Sequence, residues 1–168
     1  MKIAVMGYSG AGKSTLAKAL SGHYQCPLLY LDTVNFEPGW VERDPEKGRE
    51  IVTRFMQNSS WVIDGNYARF YQPQRLQQAD CIIWMNYARV RCFFRALKRY
   101  YRHKGRARES CAPGCVEKFD WAFAWWILWA GRTREKRAHY RQIVEQYAPK
   151  VVILKNDRQV ARFLKNLP

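Results

Sequence analysis

The segment GYSGAGKST at residues 7–15 restricts the fold of this chain more than any other feature. Its three glycines make it a poor helix former and a poor strand former, because glycine loses the most backbone freedom on ordering. The apolar run KIAVM (2–6) precedes it and predicts a buried parallel strand. Residues 13–21 follow it and predict a helix, since Leu16 and Leu20 recur on one helical face. The sequence therefore predicts a strand, a tight loop and a helix in direct succession.

The loop carries a phosphate-binding pattern, because residues 7–14 match G-x-x-x-x-G-K-[ST] at every fixed position. Glycines let the backbone approach a phosphate closely, and consecutive N–H groups can point at its oxygens. The positive end of the helix that begins near Lys13 adds to this attraction. We expect Lys13 to reach the β- and γ-phosphates of ATP and the Ser14 hydroxyl to bind Mg²⁺. The predicted ATP-binding residues of the loop are Gly7, Ser9, Gly10, Ala11, Gly12, Lys13, Ser14 and Thr15.

Four further apolar runs predict strands that alternate with helices along the chain. They cover residues 27–32, 61–65, 81–85 and 150–154. This alternation predicts an α/β fold with a parallel sheet that is covered by helices on both faces. Residues 100–131 interrupt the alternation and are therefore the expected insertion. The length suits one domain, so we expect residues 1–168 to form a single domain.

Several segments resemble the topology modulation proteins, small P-loop proteins grouped with the kinases related to adenylate kinase. The most distinctive segment is WVIDGNYAR at residues 61–69. The others are GYSGAGKSTLAKAL (7–20), RLQQADCIIWMN (75–86), RCFFRALKR (91–99) and GCVEKFDWAF (114–123), so the resemblance covers nearly the whole chain. It implies a three-layer α/β/α P-loop NTPase fold of the nucleoside monophosphate kinase type, with a five-stranded parallel sheet and a helical lid. It also implies an acceptor-binding region at about residues 33–60, a lid at about residues 100–131, and ATP with Mg²⁺ as cofactors.

Two acids, Asp32 and Asp64, each end a predicted strand, and strand ends at this edge of a parallel sheet form the ligand crevice. Asp64 is similar to the acid of the D-G-F-P-R motif of adenylate kinases, which implies that it helps to hold Mg²⁺. Arg69 follows Asp64 by five residues, against four in that motif, and by the same resemblance it is a candidate acceptor ligand. For both acids a structural role in capping the next loop is the alternative.

The role of Asp32 depends on the acceptor, which the sequence leaves open. One interpretation is a general base for a hydroxyl acceptor, as in kinases of small alcohols. The other is a residue that positions Mg²⁺ or the acceptor. A phosphate acceptor is already anionic at neutral pH and needs no base, whereas a hydroxyl acceptor benefits from one.

Basic residues are concentrated in two segments, residues 89–108 with nine Lys or Arg and no acid, and residues 132–141 with five more. Arg95 and Arg99 lie four residues apart and resemble the R-x-x-x-R of the adenylate kinase lid, whose arginines bind ATP phosphates. Because phosphoryl transfer spreads charge over the equatorial oxygens, we expect lid closure to bring Arg132, Arg134 and Arg137 onto the transferring group. The predicted catalytic residues are Lys13, Asp32, Arg95, Arg99, Arg134 and Arg137. By the resemblance, Asn156 lies where related kinases hold adenine.

The net charge of +15 predicts a polyanionic partner, and a kinase of a nucleotide or another small molecule is the first hypothesis. A nucleic-acid-binding NTPase or polynucleotide kinase that affects DNA topology is the alternative, with nucleic acid bound through the basic lid. A regulatory ATP switch without transfer is the third. Trp121, Trp125 and Trp129 recur every four residues and predict a stripe that packs the lid onto the core. Stacking on a base and docking at a membrane surface are the other interpretations of that stripe.

The cysteines and the apolar runs indicate in which cellular compartment the protein is expected. Five cysteines at irregular spacing predict reduced thiols in a cytoplasmic protein. Residues 1–6 are too short for an apolar targeting segment. The longest apolar run, at residues 122–130, is too short to span a bilayer, so no membrane partner is expected. The sequence does not constrain the oligomeric state.

Overall fold

The computed structural model describes residues 1–105 and 108–168 of the chain. The strands are β1 (Lys2–Gly7), β2 (Leu28–Tyr30), β3 (Phe36–Glu37), β4 (Val41–Glu42), β5 (Trp61–Asp64), β6 (Cys81–Met85) and β7 (Val151–Leu154). The helices are α1 (Lys13–Tyr24), α2 (Leu31–Asn35), α3 (Pro45–Met56), α4 (Gln72–Gln78), α5 (Arg89–His103), α6 (Trp121–Leu128), α7 (Arg134–Gln146) and α8 (Asp157–Lys165). Short 3₁₀ turns cover Pro38–Trp40, Ala130–Arg132 and Ala148–Lys150.

A five-stranded parallel sheet in the order β2-β5-β1-β6-β7 forms the centre of the molecule. Its inner strands are apolar along nearly their whole length, and Ile3, Ile63 and Ile82 are each at most 1% exposed. A strand that is buried on both faces needs helices on both sides, which is why near-continuous apolar runs accompany parallel sheets. The predicted parallel sheet and the three-layer α/β/α P-loop NTPase fold are confirmed.

The order of the strands brings the ends of β1, β5 and β6 together at one edge of the sheet. Val5 of β1 pairs with Asp64, the last residue of β5. Gly7 at the end of β1 pairs with Met85 at the end of β6. In an open parallel sheet the crevice outside the carboxyl ends of the strands is where ligands bind. The loop that follows Gly7 therefore lies directly beside Asp64.

The second strand is shorter than the sequence predicted, because β2 ends at Tyr30 and helix α2 begins at Leu31. The prediction that Asp32 ends a strand is wrong, since Asp32 lies in the first turn of α2. Leu31 and Val34 are three residues apart and both are buried, so a helix turns both side chains into the core. The Thr33 hydroxyl also donates to the Tyr30 carbonyl at 2.7 Å, which favours the turn.

The predicted lid begins within α5 and ends with the 3₁₀ turn after α6. Residues 106 and 107 belong to it and lie outside the described residues, and Arg106 of the basic segment is one of them. The segment from residue 108 to residue 120 has no regular helix and packs on the region after β2. Cys111 and Cys115 are buried against Phe36 and Trp40. The Trp40 indole N–H donates to the Val116 carbonyl at 3.0 Å, so this segment is tied to the predicted acceptor region.

The tryptophans of α6 and Trp129, which caps its C-terminus, face solvent, so the prediction that they pack the lid onto the core is wrong. Trp121 is 91% exposed, Trp125 is 59% exposed and Trp129 is 50% exposed. The helix buries its opposite face through Ala124 and Ile127. Because α6 is apolar on every side, periodicity could not indicate which face is buried. Within the described part of the chain, no helix combines the length and apolar character needed to cross a membrane.

Candidate functional site

The loop between β1 and α1 has the backbone that its glycines allow. Gly10 has φ of 81° and Gly12 has φ of 96°, in the region that side-chain-bearing residues rarely adopt. A Cβ atom at Gly10 would also collide with the carbonyl of Cys92, and one at Gly12 with the guanidinium of Arg95. Helix α1 begins at Lys13 and has no side-chain cap at its N-terminus. Its first N–H groups are therefore available to an anion, as in phosphate-binding loops.

Ser14 and Asp64 form the polar centre of the site. The Ser14 hydroxyl donates to Oδ2 of Asp64 at 2.7 Å. Asp64 is only 5% exposed, and its Oδ1 has no hydrogen-bond partner among the described residues. Burial raises the pKa of Asp64 to about 6, against the lowering effects of the Lys13 charge and the Ser14 hydrogen bond. A buried carboxylate oxygen without a partner is costly unless a ligand satisfies it.

The oxygen atoms of Ser14 and Asp64 fit Mg²⁺, which prefers hard oxygen ligands. The unpartnered Oδ1 of Asp64 and its raised pKa are the features that a bound cation would relieve. Within residues 1–105 and 108–168, no three His, Cys, Asp or Glu side chains form a metal-binding cluster. Mg²⁺ usually keeps several waters and is held by one or two protein groups and by substrate phosphates.

Asp32 and Tyr67 lie next to this centre, in a cleft of about 1690 Å³ that the loop, α2 and the lid enclose. The Tyr67 hydroxyl donates to Oδ1 of Asp32 at 2.7 Å. Burial and the Asp32 carboxylate raise the pKa of Tyr67, so its hydroxyl stays protonated and keeps donating. The charge of Asp32 also contributes to the raised pKa of Asp64, which places the two carboxylates at one site.

Arg69 does not line this cleft. Its Nε donates to Oδ1 of buried Asn35 at 3.1 Å, and its Nη1 donates to Glu42 at 3.3 Å. The guanidinium therefore joins α2 to β4 within the acceptor region. Sequence reasoning could not foresee these partners, because Asn35 and Glu42 carry no motif.

The arginines of α5 pair with acids on both sides of the cleft. Arg91 and Arg95 both bind Asp157, which also accepts from the Tyr87 hydroxyl at 2.8 Å. The Arg95 guanidinium also lies against Gly12 of the loop. Arg99 binds Glu117 at 2.7 Å. Both Arg95 and Arg99 lie on helix α5, as their spacing predicts, but their acidic partners lie far along the chain.

Glu117 is a buried acid that sequence reasoning missed. Its side chain is 3% exposed, and it also binds Arg108 at 2.5 Å. Arg108 in turn donates to the Ser110 hydroxyl at 2.9 Å and contacts Cys111 Sγ at 3.1 Å. A lone glutamate in an irregular segment gives no sequence signal, whereas in the structure it holds two arginines over the cleft.

The basic segment after the lid contributes Arg132 and Lys136 to the cleft, whereas Arg134 and Arg137 are exposed and do not line it. The Arg132 guanidinium lies 3.7 Å from the centre of the Tyr8 ring, at the phosphate-binding loop. It also donates to the Tyr87 carbonyl at 2.9 Å, which fixes its position. Arg132 precedes α7 in a 3₁₀ turn, so helical spacing could not single it out.

Asn156 serves as the N-cap of α8, where its side chain accepts from the backbone N–H of Gln159 at 2.9 Å. The next residue, Asp157, lines the cleft, and Asn156 does not. The side-chain amide is thus used within the protein. Contact with adenine through the backbone of Asn156 stays a prediction.

Comparisons with known proteins agree with this fold. A family model described as ABC transporter matches residues 1–140. Among solved structures, a shikimate kinase from Bacteroides thetaiotaomicron has a TM-score of 0.50 and 18% identity, over 98% of this chain and 94% of that one. A deoxyadenosine kinase from M. mycoides has a TM-score of 0.53 and 13% identity, over 98% and 97%. No curated protein matches the chain significantly. At these identities the two structures show a shared fold alone.

Proposed function

The chain belongs to the family of P-loop NTPase domains described as ABC transporter, and from this premise we propose that it is a P-loop kinase that transfers a phosphoryl group from Mg²⁺·ATP to a nucleotide or another small molecule. The unpartnered, buried Oδ1 of Asp64 beside the Ser14 hydroxyl carries this proposal. The kinase names of the two structural neighbours direct it toward transfer to an acceptor. Within it, residues 1–168 act as one domain of the type related to adenylate kinase, with acceptor binding at about residues 33–60 and a lid at about residues 100–131.

The phosphate-binding loop supplies the contacts to ATP in this proposal. Backbone N–H groups from Ser9 to Thr15 and the start of α1 would hold the β- and γ-phosphates, and the Lys13 ammonium would add a positive charge. Ser14 and Asp64 would hold Mg²⁺, which neutralises charge that develops on the phosphate oxygens. Asp64 is almost fully buried, so its carboxylate has little freedom to move.

Arginines supply the remaining charge stabilisation. Arg95 is held against Gly12 by Asp157, and Arg132 is held at Tyr8, so both lie at the loop before any ligand binds. Groups that are already in place cost no reorganisation during the reaction. We therefore assign the contact with the transferring group to Arg132 and Lys136, which line the cleft, rather than to Arg134 and Arg137. Arg99 keeps a role in the lid through its ion pair with Glu117.

The compartment that fits this function is the cytoplasm, where ATP and Mg²⁺ are supplied. All five cysteines are free thiols in the structure, and four of them are buried. Reduced cysteines are usual in that compartment.

A matched pair of lysine variants tests the proposal. Lys13→Ala removes the charge that faces the phosphates, and ADP release from Mg²⁺·ATP should fall by at least about 100-fold. Lys165→Ala removes an exposed lysine of α8 that does not line the cleft, and it should leave ADP release unchanged. Equal activity in both variants would remove the basis for assigning phosphate binding to the loop.

A nucleic-acid-binding NTPase is the second candidate, and the exposed tryptophans of α6 favour it. Trp125 and Trp129 stack with ring centres 4.7 Å apart, and Lys136 lies 3.7 Å from the centre of the Trp126 ring. Aromatic faces beside cations suit the bases and phosphates of a single strand. The salt dependence of oligonucleotide binding with and without ATP separates the candidates. A small-molecule kinase binds DNA weakly, with a steep salt dependence that ATP does not alter.

A further inference from the structure

The part of the chain from β2 to α4 contributes two carboxylates, Asp32 and Asp64, and several aromatic rings to the cleft. From the part of the chain between β2 and α4, the side chains that line it include Tyr30, Asp32, Phe36, Trp40, Tyr67 and Gln72. Phe36 and Trp40 pack edge to face, with ring centres 5.2 Å apart. The Trp40 ring is held in place by its hydrogen bond to Val116. The rings of Phe36 and Trp40 therefore give this part of the cleft a flat, apolar and fixed surface. The charge that this part of the chain contributes to the cleft is negative.

The arginines of this region that lie near the cleft are bound to oxygen atoms of the protein. Arg69 binds Asn35 and Glu42, and Arg43 binds the Val34 carbonyl and Glu37. Buried Arg75 donates to the carbonyls of Phe70 and Tyr67. Among the described residues from 28 to 78, no lysine or arginine lines the cleft.

Helix α5 and the lid contribute basic residues to the cleft, of which Lys98, Arg102 and Lys118 are exposed and Arg99 and Arg108 are paired. Arg108 and Arg99 both bind the buried carboxylate of Glu117. The segment that carries Arg108 packs on Phe36 and Trp40 through Cys111 and Cys115. The carboxylate of Glu117 offsets one of the two positive charges and accepts from both guanidiniums, which weakens the attraction that they would exert on a second anion.

This arrangement disfavours a phosphorylated acceptor. A phosphate monoester carries between one and two negative charges near neutral pH, and protein sites bind it with unpaired cations or with N–H groups. Here the acceptor would instead face the carboxylate of Asp32. Like charges at close range in a partly buried site repel strongly. An uncharged acceptor meets no such repulsion, and its hydroxyl group can donate to Asp32.

We propose that the acceptor is an uncharged alcohol that carries a planar ring, such as a nucleoside, and that it receives the phosphoryl group on its hydroxyl oxygen. This inference rests on the proposed kinase function. The rings of Phe36, Trp40 and Tyr67 provide the flat surfaces on which such a ring packs. In the transfer step the bond from the acceptor oxygen to the γ-phosphorus forms, and the bond from that phosphorus to the bridging oxygen breaks. ADP leaves with that electron pair, and the hydroxyl proton passes to the carboxylate of Asp32.

Tyr67 is a positioning residue in this scheme, because it acts through Asp32. Its hydroxyl occupies Oδ1 of Asp32 at 2.7 Å. The carboxylate is thereby held in one orientation, with Oδ2 left for the acceptor. Tyr67→Phe should lower kcat and shift the acidic limb of the pH–rate profile, whereas loss of packing alone would raise KM without moving that limb.

The test uses matched acceptors that differ in one group. Transfer of labelled phosphate from Mg²⁺·ATP is followed with purine and pyrimidine nucleosides, with their 5′-monophosphates and with glycerol, which has a hydroxyl but no ring. The nucleoside should exceed the other two in kcat/KM by at least about 100-fold. A preference for the monophosphate or for glycerol would overturn the inference, as would equal indifference to every acceptor.

Two variants and a control separate this inference from the kinase proposal. Asp32→Asn should lower kcat with a nucleoside by about 100-fold or more. Trp40→Ala should raise KM for the nucleoside but not for ATP, and Trp121→Ala, which alters an exposed ring of α6, should change neither. ATP binding is measured separately with a fluorescent ATP analogue. If ATP binds and a monophosphate is phosphorylated, the inference alone fails, and if ATP does not bind, the kinase proposal fails as well.

Discussion

Replacing Asp64 by asparagine should make the metal-free protein more stable while it removes activity. The pKa of Asp64 is raised from 3.8 to about 6, mainly by burial. Each pH unit of this difference corresponds to about 1.4 kcal/mol, so the ionised carboxylate costs the folded state about 3 kcal/mol at pH 7.5. An asparagine side chain has the same shape and no charge. Its amide N–H₂ replaces the unpartnered Oδ1 and costs about 1 kcal/mol, which leaves a net gain of about 2 kcal/mol.

The pH dependence of the stability difference distinguishes the effect of the Asp64 charge from the other effects of this substitution. Because the folded-state pKa lies above the unfolded value, folded Asp64 takes up a proton before the unfolded chain does as the pH falls. The wild-type protein therefore gains stability between pH 7.5 and pH 5, by about 1.4 kcal/mol for a pKa of about 6. The asparagine side chain does not titrate, so the advantage of the variant should shrink by that amount at pH 5.

Urea unfolding of wild type and Asp64→Asn at the two pH values measures this directly, in buffer with a chelator. Titrations of all other groups are common to both proteins and cancel in the difference. Glu50→Gln, at an exposed acid of α3, is the control and should show no such change. Two results would contradict this account: Asp64→Asn is less stable than wild type at pH 7.5, or the difference in free energy of unfolding does not change with pH. Either result would show that the ionised Asp64 does not destabilise the folded protein. The same variant should lose the stabilisation by Mg²⁺·ATP, since it lacks the metal ligand.

Three further predictions follow from particular contacts. Trp61→Ala should destabilise the protein by about 3–5 kcal/mol in urea unfolding, whereas Trp121→Ala should stay within about 0.5 kcal/mol of wild type, because the first ring is fully buried and the second is 91% exposed. Glu117→Gln should destabilise by about 2–4 kcal/mol and speed proteolysis of the lid, since it leaves Arg99 and Arg108 without their buried partner; unchanged protease sensitivity would contradict this. Gly10→Ala should abolish ATP binding in a fluorescence titration, because the loop cannot hold a Cβ against the Cys92 carbonyl; normal affinity would show that the loop backbone adapts.

The parts of the fold that were predictable from sequence are those whose signals are local. The five strands are continuous apolar runs, and the loop from Gly7 to Ser14 follows one of them directly. Asp64 could be placed beside that loop because it ends the third predicted strand. The short length of β2 was not predictable in the same way, since burial of Leu31 and Val34 in a helix depends on the neighbouring core.

The ion pairs across the cleft could not be predicted from the sequence, for a different reason. Glu117 and Asp157 each hold a pair of arginines that lie up to 66 residues away in the chain. No spacing rule relates such partners, because only the folded sheet and lid bring them together. The tryptophans of α6 show that a clear spacing can also mislead. Their regular spacing predicted a buried stripe, but the tertiary fold buries the opposite face of the helix, through Ala124 and Ile127.

The central claim is that Lys13, Ser14 and Asp64 form a phosphoryl-transfer site. ADP release from Mg²⁺·ATP, measured with and without a panel of nucleosides, nucleoside monophosphates, small alcohols and 5′-hydroxyl oligonucleotides, tests it most directly. We predict a rate that rises with one class of small acceptor and is lost in Lys13→Ala. A slow rate that no acceptor changes would contradict the claim and would favour an ATP switch or a nucleic-acid-coupled ATPase.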